Sequence, residues 1–141
     1  MRDIKFRGQL TENKGWVYGY FVIDPNGNYR IYQQPFVGAS SNTYFFVDYK
    51  TVGQSTGLKD KNGKEIYEGD IIKYNFWNKS GIGYVTFENG AFGINQYSKD
   101  IEIYYHNPFS SWDEPEKDCL PFIEVIGNIY QTPELLESVQ K

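Results

Sequence analysis

One histidine and one cysteine, His106 and Cys119, limit the chemistry that this 141-residue sequence offers. Activation of a hydroxyl or thiol nucleophile usually needs a histidine base within hydrogen-bond reach. The neighbours Tyr105 and Asn107 match no triad signature, and His106 reads as a turn histidine at a strand end. Cys119 follows Glu116 and Asp118, an acidic setting that disfavours a reactive thiolate. A lone cysteine forms no internal disulfide, and one histidine with one cysteine makes no structural zinc site within a single chain. Carboxylates are the remaining option. Glu65, Glu68 and Asp70 surround one turn, and acidic groups so gathered can serve as general acid and base or hold magnesium. Against that, polar turn residues commonly bond the backbone, and Asp70 is expected to do so.

Two further patterns fail on inspection. Asp24–Asn28 has the D-x-N-x-N start of a calcium loop, but Tyr29 replaces the glycine that should follow and the twelfth position is not glutamate. The glycine pairs Gly81/Gly83 and Gly90/Gly93 precede no helix and carry no Lys-Ser or Lys-Thr pair, so they do not form a phosphate cradle. No catalytic residue, metal ligand or cofactor is assigned, and the chain reads as a non-enzyme.

The elements that must position these residues are mostly strands. Aromatic residues make up 18% of the chain, with 13 Tyr, 10 Phe and 3 Trp, and such side chains favour a pleated, half-buried surface. Strands are expected at Trp16–Ile23, Tyr29–Gln33, Tyr44–Thr51, Ile71–Phe76, Ile82–Phe87, Ala91–Tyr97, Ile101–Tyr105 and Phe122–Tyr130. Asn-Gly steps at 26–27, 62–63 and 89–90 predict three hairpins, because both residue types accept positive φ. The fold class is therefore mainly β: an antiparallel meander or small barrel-type sheets, laid out much like SH3-like barrels, with a short C-terminal helix. Thr132 is the expected N-cap of that helix, with Pro133 and Glu134 in its first turn. Leu135, Leu136 and Val139 form its apolar face. Residues 107–120 read as a long polar loop, and the tip Lys59–Glu65 is expected to project into water.

The net charge of −4 offers no field that would draw the chain onto a phosphate backbone. Arg2, Lys5 and Arg7 are the local exception and the candidates for nucleic-acid contact. The segment Trp16–Phe21 places aromatics on both strand faces. Two packed sheets would bury both, and an oligomer or partner interface would account for them equally well. The start MRDIKFRG has no apolar run of a secretory signal, and no stretch approaches the ~20 apolar residues of a membrane span. The expected address is cytoplasmic.

Three stretches carry a resemblance. Met1–Arg7, Thr56–Asp70 and Ile123–Tyr130, the last followed by Thr132–Leu136, resemble the YopX family of bacteriophages and prophages. The resemblance implies one domain over 1–141, with sub-lobes 1–51 and 66–131 joined by a hairpin region at 52–65. It implies a phage or prophage setting in a bacterial host cell and self-association, with a trimer as the expected form. It brings no catalytic residues to carry over. Its most specific stretch nominates Lys59, Asp60, Asn62, Gly63, Glu65, Tyr67, Glu68 and Asp70 as surface candidates. Many relatives continue the opening with Ala-Trp-Asp, where this chain has Gly8-Gln9-Leu10. Three functions follow in order: an interaction protein acting on host or phage proteins, a nucleic-acid-binding small barrel, and a carboxylate-based metal-dependent hydrolase.

Overall fold

The computed structural model describes residues 4–33, 43–76, 79–99, 101–111 and 119–137. These hold β1 (Phe6–Leu10), β2 (Trp16–Ile23), β3 (Tyr29–Tyr32), β4 (Tyr44–Lys59), β5 (Glu65–Tyr67), β6 (Asp70–Phe76), β7 (Lys79–Glu88), β8 (Ala91–Ser98), β9 (Ile103–Pro108), β10 (Ile123–Asn128) and a four-residue helix, α1 (Glu134–Glu137). The fold is mainly β, in antiparallel meander sheets with one short C-terminal helix. The chain divides into two compact units, residues 1–55 and 56–141. The division falls inside β4, so residues 52–55 of the expected joining hairpin belong to the first unit and 56–65 to the second.

In the first unit the antiparallel pairings close on themselves, because β1 pairs with both β2 and β4 while β3 pairs with β2 and β4. Two strands change partner midway. β2 uses Trp16–Gly19 on β1 and Tyr20–Ile23 on β3. Gly19 stands at the change, and a Cβ there would collide with the Tyr32 carbonyl oxygen; only glycine permits so close an approach. Val17, Ile31 and Val47 form the core, with Phe6, Leu10, Phe21, Tyr29, Phe45 and Val52 packed around them. A bulge between Arg7 and Gln9 shifts the β1–β4 register, and the Gln9 N–H donates to Thr51 Oγ1 at 2.8 Å.

The second unit holds a five-stranded sheet in the order β10-β6-β7-β8-β9, together with the hairpin between the end of β4 and β5. Asn89 and Gly90 join β7 to β8 with φ of 51° and 79°, the positive values a tight two-residue hairpin requires. The core is Ile66, Ile72, Val85, Ile94, Phe109, Leu120 and Ile123. Burying side chains of this size contributes roughly 1.5–3 kcal/mol each.

Four expectations change. The strand expected at Ile101 begins at Ile103, because Glu102 takes a φ of 55°, which interrupts a ladder. That strand runs on to Pro108, so His106 lies within β9 and not at a turn. Phe109, assigned to a polar loop, starts a 3-10 turn and is buried in the core; residues 112–118 of that loop lie outside the described residues. Thr132 does not cap α1 with its hydroxyl. Its Oγ1 accepts from the Asn128 N–H at 3.1 Å and donates to the Asn128 carbonyl at 3.2 Å. Val139 lies outside the described residues, and among the described residues no helix is long and apolar enough to cross a membrane.

Candidate interaction surface

The residues that alternate away from the first unit's core are themselves aromatic. Cross-strand register places Tyr20, Tyr32 and Tyr44 in one row over β2, β3 and β4, and Val22, Arg30 and Phe46 in the next. Residues directly opposite on neighbouring strands share a face. Tyr18, Tyr20, Val22, Tyr44 and Phe46 are each between 41% and 46% exposed, which leaves a band of rings in water. Tyr32 and Tyr44 stand 5.4 Å apart, and Tyr44 meets Phe46 edge-on at 5.6 Å. The Arg30 guanidinium lies over both, 4.4 Å from the Tyr44 centroid and 5.2 Å from that of Phe46, a favourable cation–π geometry.

The turn beside this face fixes the arginine. Asp24 accepts from the backbone N–H groups of Asn26 and Asn28, both at 2.9 Å, and from Asn28 Nδ2 at 3.1 Å. The Asn28 backbone bond is the main cause holding the Asp24 carboxyl below its usual value. The same carboxylate pairs with Arg30 at 2.5 Å. The calcium-like pattern is thus consumed by a hairpin turn. Arg30 Nε is buried without a partner, and a side-chain bond with Tyr32 is the largest cause raising the arginine pKa. A groove of about 410 Å³ lined by Leu10–Asn13 and Tyr44–Phe46 borders the face.

The motif Thr56–Asp70 folds differently from the exposed tip expected of it. Asp60 is 1% exposed, Asp70 1% and Tyr67 3%, so three of the surface candidates are interior. Asp60 Oδ1 accepts from the N–H groups of Asn62 and Lys64 at 2.9 Å each, and Oδ2 accepts from the Val125 N–H at 3.0 Å. Burial follows because the carboxylate satisfies donors from two segments at once. Asp70 accepts from the Tyr67 N–H at 2.8 Å, as a turn aspartate should, and Tyr67 donates its hydroxyl to Glu65 at 3.0 Å. Lys59, Asn62 and Gly63 are exposed, and Glu65 and Glu68 half-buried. Among the described residues no three His, Cys, Asp or Glu side chains gather as a metal site.

Comparison with known proteins adds the lineage. The YopX protein family model matches residues 5–137. This chain belongs to the YopX family. Two solved structures are similar to it: protein EF1440 from Enterococcus faecalis, at 24% identity and a TM-score of 0.56, and protein yopX from Bacillus subtilis, at 22% and 0.54. Each alignment covers 96% of this chain and 99% of the other, so the fold is shared over nearly the whole chain. Among curated proteins, nothing matches.

In this YopX chain two of the three basic residues near the start lie among the described residues. Arg7 is buried with its guanidinium 4.6 Å over the Trp16 ring, Lys5 is half-buried, and Arg2 lies outside the described residues. His106 joins a polar group that sequence reasoning missed. Its Nδ1 lies 3.0 Å from Thr86 Oγ1 and 3.7 Å from Glu88 Oε2, while Nε2 is buried without a partner. A proton relay needs hydroxyl and carboxylate on opposite ring nitrogens, and here both address the same one. Cys119 donates to the Asp60 carbonyl at 3.2 Å. The register Tyr84–Asn95–His106 across β7, β8 and β9 was the signal, legible only once the strands were paired. Burial raises the Tyr84 pKa there, with smaller contributions from Tyr104 and Glu88.

Proposed function

We propose that this YopX-family protein is a non-enzymatic interaction module. Its first unit grips a protein of host or phage origin through the aromatic face of β2, β3 and β4, in the cytoplasm of a bacterial host. The observation that carries this reading is the pair of rows Tyr20–Tyr32–Tyr44 and Val22–Arg30–Phe46, partly exposed and held by an arginine fixed through Asp24. Tyrosine, phenylalanine and arginine are the residues that anchor protein interfaces, since they bury much area at low conformational cost. A net charge of −4 and the burial of Arg7 argue against nucleic acid as the occupant of this face.

The test starts from a partner captured from infected host cells and then purified. Dissociation constants are measured for the wild type and for Tyr20→Ser and Phe46→Ser, whose side chains are exposed enough to be replaced without unfolding the chain. Loss of an anchor of this kind costs about 2 kcal/mol, roughly thirtyfold in Kd. A partner that binds both variants as tightly as the wild type overturns the reading. So does light scattering in which the two substitutions dissolve a homo-oligomer without touching partner affinity, because the face then serves self-association.

A further inference from the structure

The buried Asp60 has a consequence for the surface beside it. Its bond to the Val125 N–H ties the hairpin tip to β10, and two more backbone bonds complete the join. The Lys61 N–H donates to the Ile123 carbonyl at 2.9 Å, and the Asn75 N–H donates to the Phe122 carbonyl at 3.0 Å. Three segments, the tip, the end of β6 and the approach to β10, are thereby fixed around a surface pocket of about 300 Å³. That volume lies at the lower end of small-ligand sites, about 300–1,000 Å³.

The lining is chemically specific. Lys61 and Lys73 supply two cations against the single carboxylate of Glu124. Glu124 is 3.3 Å from Lys61 Nζ and sits directly opposite Lys73 in the β10–β6 register. Among the described residues Lys73 makes no ion pair, so one positive charge is in surplus. Phe122 is 45% exposed and lines the same pocket with Pro121 and Asn75. An anion beside a partly exposed ring and an amide is the chemistry of a nucleotide unit: phosphate on the lysines, base against the ring.

We infer that this pocket binds a nucleotide unit, a phosphate joined to a planar base. The lining residues, from Lys61, Lys73 and Asn75 to Pro121–Glu124, all belong to the second unit, and the site does not depend on the aromatic face of the first, so the two readings fail separately.

The test is titration of the full chain, by calorimetry or amide chemical shifts, with nucleoside 5′-monophosphates, inorganic phosphate and short single-stranded oligonucleotides. At least one monophosphate is expected to bind at millimolar concentration or below. Lys73→Gln should weaken it about tenfold, the loss of one charge-assisted contact. Phe122→Ala should weaken the nucleotide while leaving inorganic phosphate unchanged, and Phe46→Ser should change neither. Both pocket side chains are exposed, and unchanged melting temperatures for the variants confirm that folding is not the cause. An oligonucleotide that binds more tightly than the monomer, with a steeper salt dependence, identifies a strand as the source; equal affinity identifies the free nucleotide. Absence of binding by every monophosphate and oligonucleotide, inorganic phosphate binding as tightly as any nucleotide, or binding indifferent to Lys73→Gln overturns the inference.

Discussion

Asp60 shows how far a residue's role can lie from its apparent setting. Its neighbours Lys59, Lys61 and Asn62 are exposed, and every local signal at this tip points to water. The carboxylate is nevertheless 1% exposed, because the Val125 N–H that it accepts is 65 residues away, and no local pattern reveals a partner so distant. Removing it strands three backbone donors, of which Val125 is the one least able to recover water. Asp60→Ala should therefore cost about 3 kcal/mol of unfolding free energy, and Asp60→Asn, which keeps one acceptor oxygen, roughly half as much. Lys59→Ala, one position away, should stay within about 0.5 kcal/mol. Urea unfolding followed by tryptophan fluorescence checks all three; an Asp60→Ala variant as stable as Lys59→Ala would show that the carboxylate positions nothing. The contrast with Asp70 is instructive. Its acceptor role toward Tyr67, three residues back, is local turn chemistry and was readable for that reason.

At the scale of elements, legibility followed the range of the forces involved. The Asn-Gly hairpins were apparent because turn chemistry is local: Asn89 and Gly90 both take positive φ, while at 26–27 and 62–63 only the glycine does. In β2 the alternation of buried Val17 and Gly19 with exposed Tyr18 and Tyr20 shows only in the structure. The strand itself was apparent because Trp16–Ile23 is rich in aromatic and β-branched residues and runs into the Asn26-Gly27 turn. β1 was not, since Arg7, Gly8 and Gln9 are all buried between two partner strands and show no alternation. The second half of β4, rich in Gly, Ser and Thr, is extended by its neighbours and not by its own propensity. The end of β10 combines both kinds. Asn128 accepts from the Tyr130 and Gln131 N–H groups at 3.0 and 2.9 Å, a turn that an Asn predicts. Gly127 beside it has a reason invisible in sequence: a Cβ there would collide with Thr132 Oγ1 and lie 3.1 Å from Leu135 Cδ1. Gly127→Ala should push Thr132 off its two bonds with Asn128 and cost about 1–3 kcal/mol. Gly63→Ala, with a φ of 81° but open space around it, should cost about 1 kcal/mol from backbone strain alone. Thermal melts of the two variants decide the order, and a Gly63→Ala variant less stable than Gly127→Ala would refute the packing argument.

For the whole molecule, the division at Ser55/Thr56 separates two cores of unequal size. The first unit closes its strands around Val17, Ile31 and Val47 and leaves much of its remaining aromatic area in water. The second buries Ile66, Ile72, Val85, Ile94, Phe109, Leu120 and Ile123 together. Since stability scales with apolar area removed from water, local opening should cost less in the first unit. Native-state hydrogen exchange gives this a direct reading, because each amide reports the free energy of the smallest opening that exposes it. The Ile72, Val85 and Ile94 amides should exchange at the rate of global unfolding, while those of Val17, Ile31 and Val47 exchange sooner and with a smaller denaturant slope. A unit that opens on its own also suits the contact role proposed for its outer face, for a partner that covers Tyr20, Tyr44 and Phe46 would add the burial its core lacks. Bound partner should then slow exchange at Val17, Ile31 and Val47 and leave Ile72, Val85 and Ile94 unchanged. If both sets exchange together in the free protein, the two cores unfold as one and the smaller is supported by more than its own packing.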